Sequence, residues 1–210
     1  TALTNLDCDN NNLTQLDVSN NTALTYLYCN SNDLTQLDVS NNTALVNLDC
    51  ENNNLTQLDL PNTTTLFTLD CKNNSLTELD VSNNTALSEI LCSYNNLTQL
   101  DLSNNAELYN LRCQNNDLTQ LDLSNNVGLT YLECDNNNLS CIQVLDVDDA
   151  IQLDIDGFFD KDIYAIWSED CSLECIDDDS ALGILGCVEA IAVFGCDGVW
   201  EDVLISDVCC

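Results

Sequence analysis

Seven cysteines stand 21 residues apart, at Cys8, Cys29, Cys50, Cys71, Cys92, Cys113 and Cys134. A column of thiols in register offers a redox relay, a thiolate metal site or a zip of disulfides. The plainer reading is that Cys, a small and readily buried hydrophobe, fills a narrow core position. Parallel side chains in register point the same way, which suits disulfide geometry poorly, and seven is odd. Packing is the reading adopted. A second column is acidic: Asp17, Asp38, Asp59, Asp80, Asp101 and Asp122. Carboxylates ~5 Å apart on adjacent coils repel even in water. Bound calcium, or hydrogen bonds from neighbouring Ser and backbone N–H, would relieve that, and both stay open. Beside it runs a hydroxyl column, Thr14, Thr35, Thr56, Thr77, Thr98 and Thr119, whose Gln and Asp neighbours break the apolar regularity an ice-binding face wants.

The elements that must hold these columns follow from the repeat. Coils begin at Leu3, Leu24, Leu45, Leu66, Leu87, Leu108 and Leu129, on the pattern L-x-x-L-x-C-x-x-N-x-L-T-x-L-D-V/L-S-N-N-x-x. A period of about 20 residues means stacked coils, none of which buries its apolar side alone. Each coil has halves of ten and eleven residues, and each half ends in an apolar-x-apolar step such as Leu6-Asp7-Cys8 or Leu16-Asp17-Val18. Alternation places Leu6 and Cys8 on one side of a strand and Asp7 on the other. An Asn-rich corner follows each half. The Asn column Asn11, Asn32, Asn53, Asn74, Asn95, Asn116 and Asn137 supplies amide donors and acceptors to backbone groups that a buried bend would otherwise strand. Coils at strand spacing make a rod roughly 30 Å long.

This pattern resembles the bacterial leucine-rich repeats with nested ten- and eleven-residue halves, the IRREKO type, over residues 3 to about 145. Leu139-Ser-Cys-Ile-Gln-Val144 followed by Ser168-Glu-Asp-Cys171 resembles the closing cap of such arrays in secreted flavobacterial proteins, and that resemblance implies a Cys141–Cys171 disulfide. The fold expected is mainly β. It is a right-handed leucine-rich-repeat solenoid over 1–145 with two short parallel strands per 21-residue coil. A small, acidic, disulfide-rich mixed α/β domain follows over 146–210, as a cap or assembly domain. There Cys175, Cys187, Cys196, Cys209 and Cys210 do not continue the Cys8–Cys134 column, and their pairing stays open. A short helix is expected over 180–194, with strands near 151–155 and 199–205. Asp154-Ile-Asp156-Gly157 with Asp160 and Asp162 has the look of a calcium loop but misses the EF-hand spacing.

Repeat scaffolds hold their core constant and vary the recognition surface. The second wall hardly changes, T-Q-L-D recurring in five coils and T-E-L-D in a sixth. The first wall varies, and it carries Tyr26, Tyr28, Phe67, Tyr109, Arg112 and Tyr131 at outward positions, with Tyr94 at an adjacent corner. Aromatic residues with Arg are what interfaces favour, and flat rings also stack on sugars.

The chain carries 36 acidic residues against three basic ones and no His, a net charge of −33. That excludes nucleic acid and anionic membrane as partners, and such density favours a saline or calcium-rich exterior. No run is long and apolar enough for a membrane span. The chain opens inside a coil with no secretory signal, the expectation for a trimmed or mature product. Nine N-x-S/T sequons, at Asn12, Asn20, Asn41, Asn54, Asn62, Asn73, Asn83, Asn96 and Asn138, are candidate glycan sites. Nothing in the sequence makes a nucleophile-and-base pair or a phosphate loop. The expectation is therefore a non-enzymatic extracellular or cell-surface protein that binds a protein or glycan through the first wall, without cofactor unless calcium is held. The alternative is a structural subunit whose solenoids stack head to tail into a filament.

Overall fold

The protein is described by a computed structural model that covers residues 2–155, 157–162 and 165–171 and the backbone of 199–200 and 203–204. Its spine is a parallel sheet of eight strands, one per turn of the chain: β1 (Asn5–Asp7), β2 (Tyr26–Tyr28), β4 (Asn47–Asp49), β6 (Thr68–Asp70), β7 (Glu89–Leu91), β8 (Asn110–Arg112), β10 (Tyr131–Glu133) and β12 (Phe159–Asp160). The register never slips. Leu6, Leu27, Leu48, Leu69, Ile90, Leu111 and Leu132 pair in series, so the inward residue of one coil sits on that of the next. Such a step is 21 residues long each time, which is why the columns read in the sequence are columns in space.

The second wall is less regular. Its strands β3 (Gln36–Asp38) and β5 (Gln57–Asp59) pair with each other, and β9 (Leu121–Asp122) pairs with β11 (Cys141–Gln143), which pairs with β13 (Ile166–Ser168). In coils one, four and five this wall has no strand, yet its inward residues Val18, Leu79, Val81, Leu100 and Leu102 are buried all the same. The two-walled tube of two short parallel strands per coil is thus complete on one side and interrupted on the other. Between the walls lie the Leu residues and the thiols. Leu27, Cys29, Leu48, Cys50, Leu69 and Cys71 are wholly enclosed, each large aliphatic contributing roughly 1.5–3 kcal/mol.

What lets the chain bend is the first Asn column. In coil four the Asn74 amide nitrogen donates to the carbonyls of Cys71 (3.0 Å) and, one coil back, Cys50 (3.1 Å), while its oxygen accepts the Leu55 N–H at 2.9 Å. The same set recurs at Asn32, Asn53, Asn95 and Asn116. A second Asn column, not singled out in the sequence, works the opposite corner. Asn42, Asn84, Asn105 and Asn126 each donate back to two carbonyls of the preceding coil. Coil three breaks it with Thr63, whose hydroxyl reaches the Thr43 carbonyl at 2.9 Å while Thr65 reaches Leu45 at 2.8 Å.

Stacking continues past residue 145. The stretch expected as a strand near 151–155 is instead the helix α1 (Val147–Ile155). Asp146 caps it, its carboxylate accepting the N–H groups of Asp148 (3.0 Å) and Asp149 (3.2 Å), whose own charges suit the positive end of the helix. Gly157, at φ 78°, closes it: its N–H bonds to the Asp154 carbonyl (3.1 Å) and that of Phe158 to Leu153 (3.0 Å), the paired bonds of a Schellman turn. The chain then enters β12 and β13, and a disulfide ties Cys141 to Cys171 with Cα atoms 5.9 Å apart, as the resembled cap implies. Closing that loop stabilises by about 3–4 kcal/mol. The short strands β14 (Val199–Trp200) and β15 (Val203–Leu204) pair antiparallel within the stretch expected as a strand. The helix expected over 180–194 and the cysteines beyond Cys171 lie outside the described residues.

Asn137, the last of the column, makes the full set itself, but no Asn follows one coil later to take the Leu139 N–H, and Asp162 stands in. Its carboxylate accepts the N–H groups of Asn137 (3.0 Å) and Leu139 (3.2 Å), the latter being the bond an Asn one coil later would have made. Asp162→Ala therefore orphans two backbone donors and lowers unfolding stability by about 1–3 kcal/mol in urea titration; Asp162→Asn, which keeps an acceptor oxygen, loses less than half of that.

Candidate functional site

Outward on the first wall, strand position one holds Asn5, Tyr26, Asn47, Thr68, Glu89, Asn110 and Tyr131 in series, and position three holds Asp7, Tyr28, Asp49, Asp70, Leu91, Arg112 and Glu133. Phe67 and Tyr109 do not share these rows. They stand one residue earlier, where the chain enters the strand, and are about half exposed at 50% and 45%. Tyr26 and Tyr28 lie four coils, about 19 Å at strand spacing, from Tyr109. The wall therefore has no single aromatic cluster of all the candidate residues.

Its C-terminal end does gather several. Tyr109, Asn110, Arg112, Thr130 and Tyr131 line a groove of about 370 Å³ that Leu153 and Phe158 close on the far side. The Schellman turn after α1 is what presents this last pair, since it sets the residues four before and one after its glycine toward each other. The groove's polar groups are held by bonds along the wall. Arg112 lies over the Tyr131 ring at 5.0 Å and pairs with Glu133 at 3.5 Å. Gln114 donates to the other Glu133 oxygen (2.6 Å), and Asn110 donates to Glu89 (2.6 Å). Sequence reading found Tyr109, Arg112 and Tyr131. It missed Asn110, Leu153 and Phe158, because only the helix cap brings residues 153–158 back beside coil six.

Toward the middle of the wall the electrostatics are tighter. Asp49, Asp70 and Glu51 crowd adjacent coils, and Lys72 bonds to both Asp70 (2.6 Å) and Glu51. Burial first, and the neighbouring carboxylates after it, push Asp49 up to about 6 despite the Glu51 N–H it accepts. Burial also raises Asp70, against the pull of Lys72.

Elsewhere the columns are occupied by their own chain. Along the second wall Ser19, Ser40, Ser82, Ser103 and Ser124 each give a backbone N–H to the Asp two residues before. Bonds from Ser hydroxyls and then these N–H groups hold Asp17, Asp38, Asp80 and Asp101 below the usual carboxylate range. Asp59 differs because Pro61 has no N–H; Gln57 supplies both its oxygens at 3.0 Å instead. A depression of about 410 Å³ opens at this irregular coil, lined by Asp38, Asp59 and Asp80 together with Pro61. Among the described residues no three His, Cys, Asp or Glu side chains converge as a metal site. Two carboxylates of the calcium-loop-like stretch have protein donors, Trp167 and Lys161 at Asp154 and two backbone N–H groups at Asp162, while Asp156 lies outside the described residues. The seven thiols of the column are unpaired, and all but half-buried Cys8 are enclosed. Burial pushes Cys92 up to about 12 and holds its neighbours Cys71 and Cys113 well above the usual thiol value, so they stay protonated and unreactive. All nine sequon asparagines are exposed.

One corner column stands apart. Asn10, Ser31, Asn52, Asn73, Tyr94, Asn115 and Asn136 all adopt left-handed φ between 52° and 57°. Asn tolerates that region and a bulky ring does not. Tyr94, 52% exposed, is the aromatic exception.

No protein-family profile and no curated protein matches this chain. Solved structures do, and they define its class. The functional domain of InlJ from Listeria monocytogenes, described as including a cysteine ladder, is similar at 39% identity and a TM-score of 0.65, over 83% of this chain and 41% of that one. YopM, a leucine-rich effector protein from Yersinia pestis, is similar at 27% identity and 0.57, over 67% of this chain and 46% of its own. Internalin C2 of Listeria monocytogenes, at 21% identity and 0.54, shares the fold over 79% of this chain and 71% of that one. The fold is the leucine-rich-repeat solenoid, and this chain spans under half the length of the first two structures it matches.

Two measurements check this electrostatics and strain. Asp49, raised in the folded state, contributes stability that is full below about pH 4, the unfolded carboxylate value, and is lost as pH rises through about 6. Asp49→Asn thus raises the melting temperature by a few degrees at pH 8 and leaves it unchanged at pH 3.5, by scanning calorimetry. Tyr94→Asn relieves a left-handed aromatic and stabilises by about 0.5–1 kcal/mol in urea titration.

Proposed function

We infer that this is a non-enzymatic interaction and adhesion module acting outside the cell, and that it binds a protein or glycan at a cell surface through its first wall. One observation carries the reading. The eight-stranded wall changes its outward residues from coil to coil and ends in an aromatic groove, whereas the opposite wall repeats. A rigid sheet on which side chains vary without touching the core is the arrangement by which repeat proteins set specificity. The likeness to internalins supports an interaction role, and the strong negative charge fits a saline exterior.

Labelled protein is expected to bind a panel of fixed bacterial and animal cells saturably on at least one type. Replacing Tyr26, Tyr28, Tyr109 and Tyr131 by Ala lowers that binding at least tenfold, and replacing Gln36, Gln99 and Gln120 on the second wall leaves it intact. Equal losses from both sets would count against a binding wall. Sedimentation separates the filament alternative: a concentration-independent monomer supports the module, and polymers rising with concentration support head-to-tail stacking.

A further inference from the structure

The geometry points to a neutral sugar, a pyranose unit of a glycan chain, as the occupant of the groove between β8, β10 and the end of α1. This rests on the first wall being the binding face. Within the groove two buried polar atoms have no partner: the side-chain oxygen of Asn110, a residue only 8% exposed, and Nε of Arg112. One is an acceptor and the other a donor, and the residues that carry them stand on the same side of one strand, about 6.6 Å apart along its backbone. Neither atom finds a partner within the protein, and an apolar occupant would supply none. Hydroxyls answer both needs, since each donates and accepts.

The apolar part of the groove fits the other half of a sugar. Arg112 covers one face of Tyr131, which leaves the half-exposed rings of Tyr109 and Phe158, beside Leu153, as platforms for a flat C–H face. Charge then selects among sugars. The Arg112 guanidinium is already neutralised by Glu133, and Glu89 lies beside Asn110, so the groove offers an anion no free cation. Uronic or sialic acids are therefore disfavoured. An extended peptide is disfavoured for a different reason. β8 pairs with β7 and β10, and β10 with β8 and β12, so no strand edge is open here to take its backbone.

The test is saturation-transfer NMR with calorimetric titration of the whole chain against cellotetraose, maltotetraose, mannotetraose and chitotetraose, with a glucuronate oligosaccharide as the charged comparison. At least one neutral probe is expected to saturate and to bind at least tenfold tighter than the charged one. Tyr109→Ala and Phe158→Ala, both at exposed rings, lower that affinity at least tenfold, while Gln99→Ala on the second wall leaves it unchanged. No saturable neutral probe, or binding indifferent to the groove variants, overturns the assignment. Treating the cells of the previous assay tells its failure from that of the wall. Periodate abolishing binding supports the sugar. Proteinase alone abolishing it, with the groove variants still defective, sinks the sugar and keeps the wall. Binding that ignores every first-wall variant sinks both.

Discussion

Everything in this solenoid depends on getting the backbone round a buried bend twice per coil. A strand shares its N–H and C=O groups with the next strand, but a bend turning through the interior cannot, and each stranded group costs about 1–3 kcal/mol. The Asn columns meet that demand. Asn74 joins the carbonyls of Cys50 and Cys71 to the N–H of Leu55, so one side chain closes its own bend and staples two coils. Because each amide serves its neighbour, the array is cooperative, and its last coil needs a substitute. Asp162 is that substitute, which makes the turn after residue 145 part of how the solenoid ends.

How much of this was legible in the sequence depended on whether each feature repeats. The 21-residue period, the inward Leu and Cys rows and the first Asn column are single letters recurring at fixed spacing, and the structure keeps their register without a slip. The second Asn column was hidden by its setting. In S-N-N two adjacent asparagines compete, and only the structure tells that Asn42, not Asn41, faces inward. Helix α1 was misread because Ile151, Leu153 and Ile155 alternate with polar residues as a strand would; the deciding signals were the capping Asp146 and the closing Gly157. The groove combines residues near 110, 131 and 155, a long-range meeting that periodicity within coils does not encode.

The thiol column shows why a repeated reactive residue need not be reactive. Cys follows the strand where the wall turns into the Asn corner, and its carbonyl is a ligand of that corner: Asn95 takes the carbonyls of Cys71 and Cys92. The position wants a small, apolar side chain beside crowded backbone. Cys meets that with more surface than Ala and less bulk than Leu. Enclosure then suppresses its ionisation, so packing itself removes the chemistry the spacing suggested. The resemblance to a structure described as having a cysteine ladder fits a packing device that recurs on this scaffold.

Charge separates the two walls in the same way. Repeating carboxylates on the second wall are tied down one by one by Ser, so their regularity is a local matter and gives a surface with little to distinguish one coil from the next. On the first wall Asp7, Asp49 and Asp70 accept the same local N–H from two residues on but have no Ser hydroxyl beside them, and the chain's cations add to that. Lys72 is held by Asp70 and Glu51, Arg112 by Glu133, and Lys161 lies near Asp154. With every Lys and Arg paired inside the array, no basic patch remains to draw an anion against a net charge of −33. Ring faces and uncharged hydrogen-bonding groups are what this wall adds to its carboxylates, and the groove beside Asn110 is where both occur together.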